Sequence, residues 1–153
     1  MGAMGHTYTS CIFHVVFSTK QRRPTITWPM QARLWPYLAG IAKTNGFRAL
    51  EVGGTQDHVH VLLSLPATMP VSKAVQLLKG GSSKWAHETF PQERLFAWQE
   101  GYGAFSVSVS GLPATIAYIR SQVMHHQRRT FEHEYKSFLE KHGIKWDERY
   151  VWG

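Results

Sequence analysis

The chain opens its folded part with an alternation. Across residues 7–18, Ile12, His14 and Val16 fall on one side, and Cys11, Phe13, Val15 and Phe17 on the other. Period two is the signature of a strand. A helical pattern follows: Thr27 can cap it, Leu34, Leu38 and Ile41 form its stripe, and Gly46 ends it after about Asn45. Pro36 inside that pattern should kink or delay the helix. A second strand is expected near Phe47–Val52, with Gly53-Gly54 as a turn. A third strand carries His58-Val59-His60-Val61-Leu62-Leu63. Pro70 opens another helix, with Val71, Val75 and Leu78 at helical spacing and Gly80-Gly81 weakening its middle or end. Residues 104–109 read as a fourth strand.

Two more helical patterns lie beyond it. From Pro113, Ile116, Ile119 and Val123 recur three and four residues apart, and Tyr118 and Gln122 share a different face. Thr130–His142 is the last helix, with Glu132 and Glu134 near its start, Lys141 and His142 near its end, and Gly143 as the stop. The order β-α-β-β-α-β is the split βαβ pattern. The predicted fold is therefore α+β and ferredoxin-like: an antiparallel sheet with helices on one face, and an added C-terminal helix bearing Tyr118. Met1–Gly5 reads as a tag remnant, leaving residues 6–153 as one domain.

Composition narrows the class. Hydrophobic residues make up 43% of the 153, which excludes a disordered chain. No apolar run approaches the ~20 residues of a membrane span, and no secretory pattern opens the chain. The single cysteine, Cys11, excludes an internal disulfide and suits a reducing compartment, so a cytoplasmic location is expected. A net charge of +7 favours phosphate-bearing partners. Cations gather at Lys20, Arg22 and Arg23 after the first strand, at Lys73, Lys79 and Lys84, and at Arg120, Arg128 and Arg129 on or beyond the tyrosine helix.

The candidate chemistry rests on two spacings. His58 and His60 point to the same side of a strand, which makes half of a metal site. The competing reading is a pair of polar, solvent-facing strand positions. Tyr118 and Gln122 lie one helical turn apart. By themselves they read as surface packing. Tyr102 and Tyr135 are also nucleophiles by type, but neither has a glutamine four residues on.

Together, and in order, these motifs resemble a family. The quoted stretches are Phe13-His14-Val15-Val16-Phe17-Ser18-Thr19-Lys20 with Arg22-Arg23-Pro24, His58-Val59-His60 with Ser64-Leu65-Pro66, and Leu78-Lys79-Gly80-Gly81-Ser82-Ser83. They continue with Trp98-Gln99-Glu100-Gly101-Tyr102-Gly103-Ala104-Phe105-Ser106-Val107, Tyr118-Ile119-Arg120-Ser121-Gln122 and Tyr150-Val151-Trp152. This set is similar to the HUH single-strand DNA tyrosine transposases (TnpA type) of small bacterial insertion sequences. Gly80-Gly81 departs from the family pattern, which has one glycine before the serines.

The resemblance implies a metal-dependent endonuclease and strand transferase acting without ATP. Tyr118 would be the nucleophile, forming a 5′-phosphotyrosine. His58, His60 and Gln122 would hold Mg²⁺ or Mn²⁺. Partners would be single-stranded DNA with hairpin ends and a second copy of the chain, with active sites shared between subunits. Lys20, Arg22, Arg23, Lys79 and Arg120 are nominated for DNA contact. The alternatives are a replication initiator or relaxase, a domesticated nuclease that processes repeat hairpins, and a non-catalytic nucleic-acid-binding module on the same fold.

Overall fold

Val15, Phe17, Val59, Val61 and Leu63 all project from one side of two neighbouring strands, and two long helices cover them. The computed structural model describes residues 7–123 and 130–152. β1 (Ile12–Ser18) pairs antiparallel with β3 (His58–Ser64), setting Val16 opposite His60. β2 (Arg48–Gly54) flanks β3, and β4 (Gly103–Ser106) flanks β1, both antiparallel. The sheet order is β2-β3-β1-β4. Helices α1 (Trp28–Thr44) and α2 (Val71–Thr89) occupy the crossovers, so the β-α-β-β-α-β order is realised. The fold is α+β, with a four-stranded antiparallel sheet.

Two further helices cover the opposite side of the sheet. α3 (Leu112–Arg120) sets Ile119 onto Ile12 and Leu62, with Leu112 and Ile116 at the edge. α4 (Phe131–Lys141) packs Phe131, Tyr135 and Leu139 onto Val16 and Phe105. Thr130 caps α4, its hydroxyl accepting from the His133 N–H at 3.2 Å. Thr27 does the same for α1, toward Met30. With both faces covered, the two central strands are buried throughout their middles, and so are the histidines of β3.

Several local expectations change. The first strand begins at Ile12 rather than residue 7, and the fourth ends at Ser106, where a short 3₁₀ turn, Val109–Gly111, leads into α3. Pro36 is carried inside an unbroken α1. Gly80-Gly81 do not end α2: Gly81 faces Ile41 of α1, and a Cβ there would come within 2.9 Å of the isoleucine Cδ1. Gly53-Gly54 are not a turn. They finish β2, paired with His60 and Val59, and residues 55–57 make the reversal instead. The reason is the crossing of α3. A Cβ on Gly53 would stand 2.5 Å from the Ile119 carbonyl oxygen, so only glycine lets α3 lie this close to the sheet. Among the described residues no helix is long and apolar enough to cross a membrane. Residues 1–6, including the expected tag remnant, fall outside the described residues, as do His125, His126, Arg128 and Arg129.

These contacts predict opposite signs for two glycine substitutions. Gly53→Val should destabilise the protein by about 1–3 kcal/mol, because the added atoms meet helix backbone. Gly80→Ala, whose Cβ meets nothing within 4 Å inside a continuous helix, should stabilise it by about 0.5–1 kcal/mol. Urea unfolding midpoints measure both. A Gly53→Val protein as stable as the parent would contradict the close crossing.

A candidate metal and tyrosine centre between the sheet and the last two helices

β3 places His58 and His60 side by side, both fully buried, with ring centroids 5.2 Å apart. Each ring is oriented from behind. His58 Nδ1 lies 2.7 Å from Asp57 Oδ1 and 3.0 Å from Thr55 Oγ1, and that hydroxyl donates to the same carboxylate oxygen. His60 Nδ1 lies 2.7 Å from His14 Nε2. Burial first, and the neighbouring His60 second, hold His14 well below the ordinary imidazole pKa, so it stays neutral. An Nδ1–H on each of these two histidines then satisfies its rear partner and turns the Nε2 lone pair forward.

What those lone pairs face decides the chemistry. His58 Nε2 is 3.1 Å from Gln122 Oε1 and 3.8 Å from Glu134 Oε1. His60 Nε2 is 3.1 Å from the same Glu134 oxygen. Ligand atoms of His58, His60 and Glu134 all lie within 4.8 Å of one another. Two imidazole nitrogens, an amide oxygen and a carboxylate oxygen thus converge in a buried space. Such a set of acceptors repels itself unless a proton or a cation sits among them. The donor types suit a divalent ion with mixed nitrogen and oxygen preference, so the residues present fit a metal. The reading of the histidines as solvent-facing polar positions is overturned by their complete burial.

Tyr118 joins the same cluster. Its hydroxyl donates to Glu134 Oε2, and its ring lies 5.8 Å from that of His60. The α3 stripe explains this placement: Ile116 and Ile119 face the sheet, and Tyr118 falls to the side turned toward α4. Gln122 follows a turn at Ser121, is 1% exposed, and its amide nitrogen donates to the Tyr118 carbonyl at 3.3 Å. Phe138 packs edge-on against both Tyr118 and His14. One chain therefore brings together all four residues singled out for the chemistry.

Glu134 and His14 were not singled out. Glu134 stands near the start of α4, as expected, yet it is 2% exposed. A signal existed: it stands three residues after Phe131 and four before Phe138, within the apolar side of α4. His14 shares a strand side with Ile12 and Val16, where a histidine is equally out of place. The rival tyrosines lie elsewhere. Tyr102 packs with the α1/α2 core on the other side of the sheet. Tyr135 is buried against Phe131 and Trp152, and that burial pushes its hydroxyl up to about 12.

The nominated cations have varied settings. Lys20 and Arg23 are exposed, Arg23 donating to Gln21 Oε1 at 2.9 Å. Arg22 pairs with Glu132 and lies over the Trp152 ring. Arg120 pairs with Glu51 at 3.2 Å. Lys79 donates to the carbonyls of Gln99, Glu100 and Gly101, and burial lowers its pKa to about 8. The Gln99 loop that Lys79 braces also holds the tail, because the Gln99 amide donates to the Trp152 carbonyl at 3.3 Å.

Residues 7–122 match the family model described as transposase, IS200 like. The transposase for insertion sequence element IS200 of Salmonella typhimurium is 33% identical over 88 residues, 58% of this chain and 58% of that protein. The alignment thus spans under two thirds of that relative. The ISDra2 transposase TnpA of Deinococcus radiodurans is 29% identical over 115 residues, 72% of this chain and 82% of that one. Among solved structures, a candidate transposase from Deinococcus radiodurans superposes with a TM-score of 0.63 at 24% identity, covering 80% of this chain and 97% of the other. A REP-associated tyrosine transposase bound to a REP hairpin superposes with a TM-score of 0.58 at 14% identity, covering 82% and 74%. The two superpositions establish the fold. The family match ends at Gln122, so α4 and Glu134 lie beyond it.

The buried tyrosine gives a pH prediction. Tyr135 keeps its proton in the folded protein up to about pH 12, whereas the unfolded chain releases it near 10. The native state binds more protons between these values, so this residue's contribution to stability is lost as pH rises from 10 to 12. Tyr135→Phe should flatten that decline in urea-melt stability relative to the parent. Parallel declines in the two proteins would contradict it.

Proposed function

The chain belongs to the IS200-like transposase family, and on that premise we propose that it is a single-strand DNA endonuclease and strand transferase whose nucleophile is Tyr118. The observation that carries the reading is the convergence of the Tyr118 hydroxyl, the two histidine Nε2 atoms and the Gln122 amide oxygen around one buried carboxylate, Glu134. His58, His60 and Gln122 would hold the cation, Mg²⁺ or Mn²⁺, with Glu134 Oε1 as a further oxygen ligand. When bound, the cation polarises the scissile phosphate and offsets charge on the departing 3′ oxygen.

The chain's own residues do the rest. A free phenol ionises near pH 10, so Tyr118 needs a proton acceptor at neutral pH. Glu134 Oε2 already accepts its hydrogen bond. As the Tyr118 oxygen bonds to phosphorus, its proton passes to that carboxylate. The bond from phosphorus to the 3′ oxygen breaks, and that oxygen takes a proton from solvent. The products are a 5′-phosphotyrosine and a free 3′-hydroxyl. Because the phosphodiester energy is conserved in the adduct, another 3′-hydroxyl can reverse the step and join a new strand without ATP. The proton held by Glu134 returns to Tyr118.

The substrate is single-stranded DNA with hairpin ends, and Lys20, Arg22, Arg23 and Arg120 are offered as backbone contacts. Lys79 is better explained by its three loop carbonyls. The alternative of a sheet-face binding module is disfavoured by the packing, because α3 and α4 cover the side of the sheet where bases would stack. The site also bears on assembly. A dimer that shares its active sites between subunits was the expectation, but here the tyrosine and the histidines of a single chain are already adjacent. We therefore assign cleavage to one chain, whether or not it dimerises.

Four outcomes test this reading. Labelled hairpin-bearing single strands with Mn²⁺ should yield a covalent adduct on a denaturing gel, and Tyr118→Phe should bind the same DNA yet give none. Adduct persisting in that variant would overturn the assignment. Removing the metal with EDTA, or substituting His58→Ala, should abolish cleavage. Asp57→Asn should weaken Mn²⁺ binding by about 10–100-fold in calorimetry, since it frees the ring that Asp57 orients. Finally, mixing Tyr118→Phe with His58→Ala protein should restore no cleavage. Recovery on mixing would move the site to the interface of two chains.

A further inference from the structure

A cleft leads away from the reacting groups, and the proposed reaction leaves it without a task. It is a cavity of about 340 Å³ between α3 and α4, reaching Tyr118 and Glu134 at its inner end and lined by Thr115, Ser137, Phe138 and Lys141. It continues into a second space of about 220 Å³ toward the end of β4, which shares Thr115, Phe138 and Lys141 and adds Phe105 and His142. Pockets of about 300–1,000 Å³ are the size that holds a small organic ligand.

The walls have a consistent chemistry. Phe138 and Phe105 stack, with centroids 5.2 Å apart, and the His142 ring lies 4.7 Å from Phe105, so one side is an aromatic wall in which the half-buried Phe138 and the exposed His142 are backed by the buried Phe105. Thr115 gives its proton to the Gly111 carbonyl, which leaves its oxygen to accept from a ligand N–H. At the mouth stands Lys141, exposed and with no ion pair among the described residues. An apolar ring surface, a hydrogen-bond acceptor and a cation in sequence match a base, its polar edge and a phosphate.

We propose that this cleft is a nucleotide subsite: it holds one base beside the phosphate that Tyr118 attacks, with Lys141 on the adjoining phosphate. The inference rests on the function proposed above and adds a specificity element to it. The base contacts come from α3 and α4, so the preference they impose concerns the cut site and is separate from hairpin recognition. Ala114, exposed on α3 one turn before Tyr118 at the same cleft, provides a way to fill it from outside the proposed ligand and nucleophile set.

The experiment has two arms. In the first, a fluorescent ten-nucleotide strand covering the cut site, without a hairpin, is titrated against the parent, Lys141→Glu and Ala114→Trp by anisotropy. Both variants should bind it roughly tenfold more weakly, with hairpin affinity unchanged. In the second, adduct formation is timed on strands made abasic on the 5′ or the 3′ side of the cut. Ala114→Trp should be slow on the intact strand, and removing the base on one side should erase its difference from the parent. That side identifies which nucleotide the cleft takes. Unchanged strand binding by both variants, or an Ala114→Trp defect that neither abasic position relieves, overturns the subsite. A parent that forms no adduct overturns the reaction instead, and the binding arm still decides the cleft. Lys141→Glu lies on the surface, so it decides that arm even if Ala114→Trp does not fold.

Discussion

A buried carboxylate sets the terms for this molecule. Glu134 sits at 2% exposure beside two fully buried imidazoles, where an unpaired charge costs several kcal/mol. One oxygen accepts from Tyr118, and the other faces the two histidine nitrogens, where a proton or a cation shared among them offsets the charge. Those groups come from β3 and α3 and the carboxylate itself from α4, so the arrangement exists only while all three elements are docked. The site and the packing of that side of the sheet are therefore one structure.

The closeness of the docking follows from small residues at two crossings. Gly53 admits the backbone of α3, and Gly103 admits the ring of Tyr135 on α4, where a Cβ would stand 2.9 Å from the ring. The tail adds a further brace. Trp152 lies against Phe131 and Tyr135, and its carbonyl is held by Gln99, whose side-chain oxygen accepts from the Ser18 N–H. Gln99 thus links the end of β1, the loop that Lys79 clamps, and the tail that backs α4. Residues distant in the sequence hold one helix in place.

A division of labour follows. The proposed metal ligands His58 and His60 are fixed on a central strand with oriented rings, which favours a stable coordination geometry. The proposed nucleophile stands on a helix that meets the sheet through a small apolar patch of Ile119, Leu62 and Ile12. Chemistry that forms a covalent bond to DNA and later releases it is served by a rigid ligand pair and a separately mounted tyrosine.

The sequence alone determined the strand and helix order, the shared side of His58 and His60, and the one-turn spacing of Tyr118 and Gln122. These are local matters: periodicities of two and 3.6 fix which side chains point together. The ordered motifs also pointed to the family that residues 7–122 match. It misassigned Gly53-Gly54 because a turn and a close helix crossing call for the same residue, and only Ile119, sixty-six positions away, separates them. Pro36 likewise looked disruptive because its local cost was visible and the packing of Leu34 and Leu38 that outweighs it was not. Tertiary structure alone decided that Glu134 meets the histidines and Tyr118, that His14 backs His60, that Tyr102 lies on the wrong side of the sheet, and that Lys79 serves a loop. Each of these depends on contact between segments far apart in the chain, and pattern along a single segment carries no information about its partner.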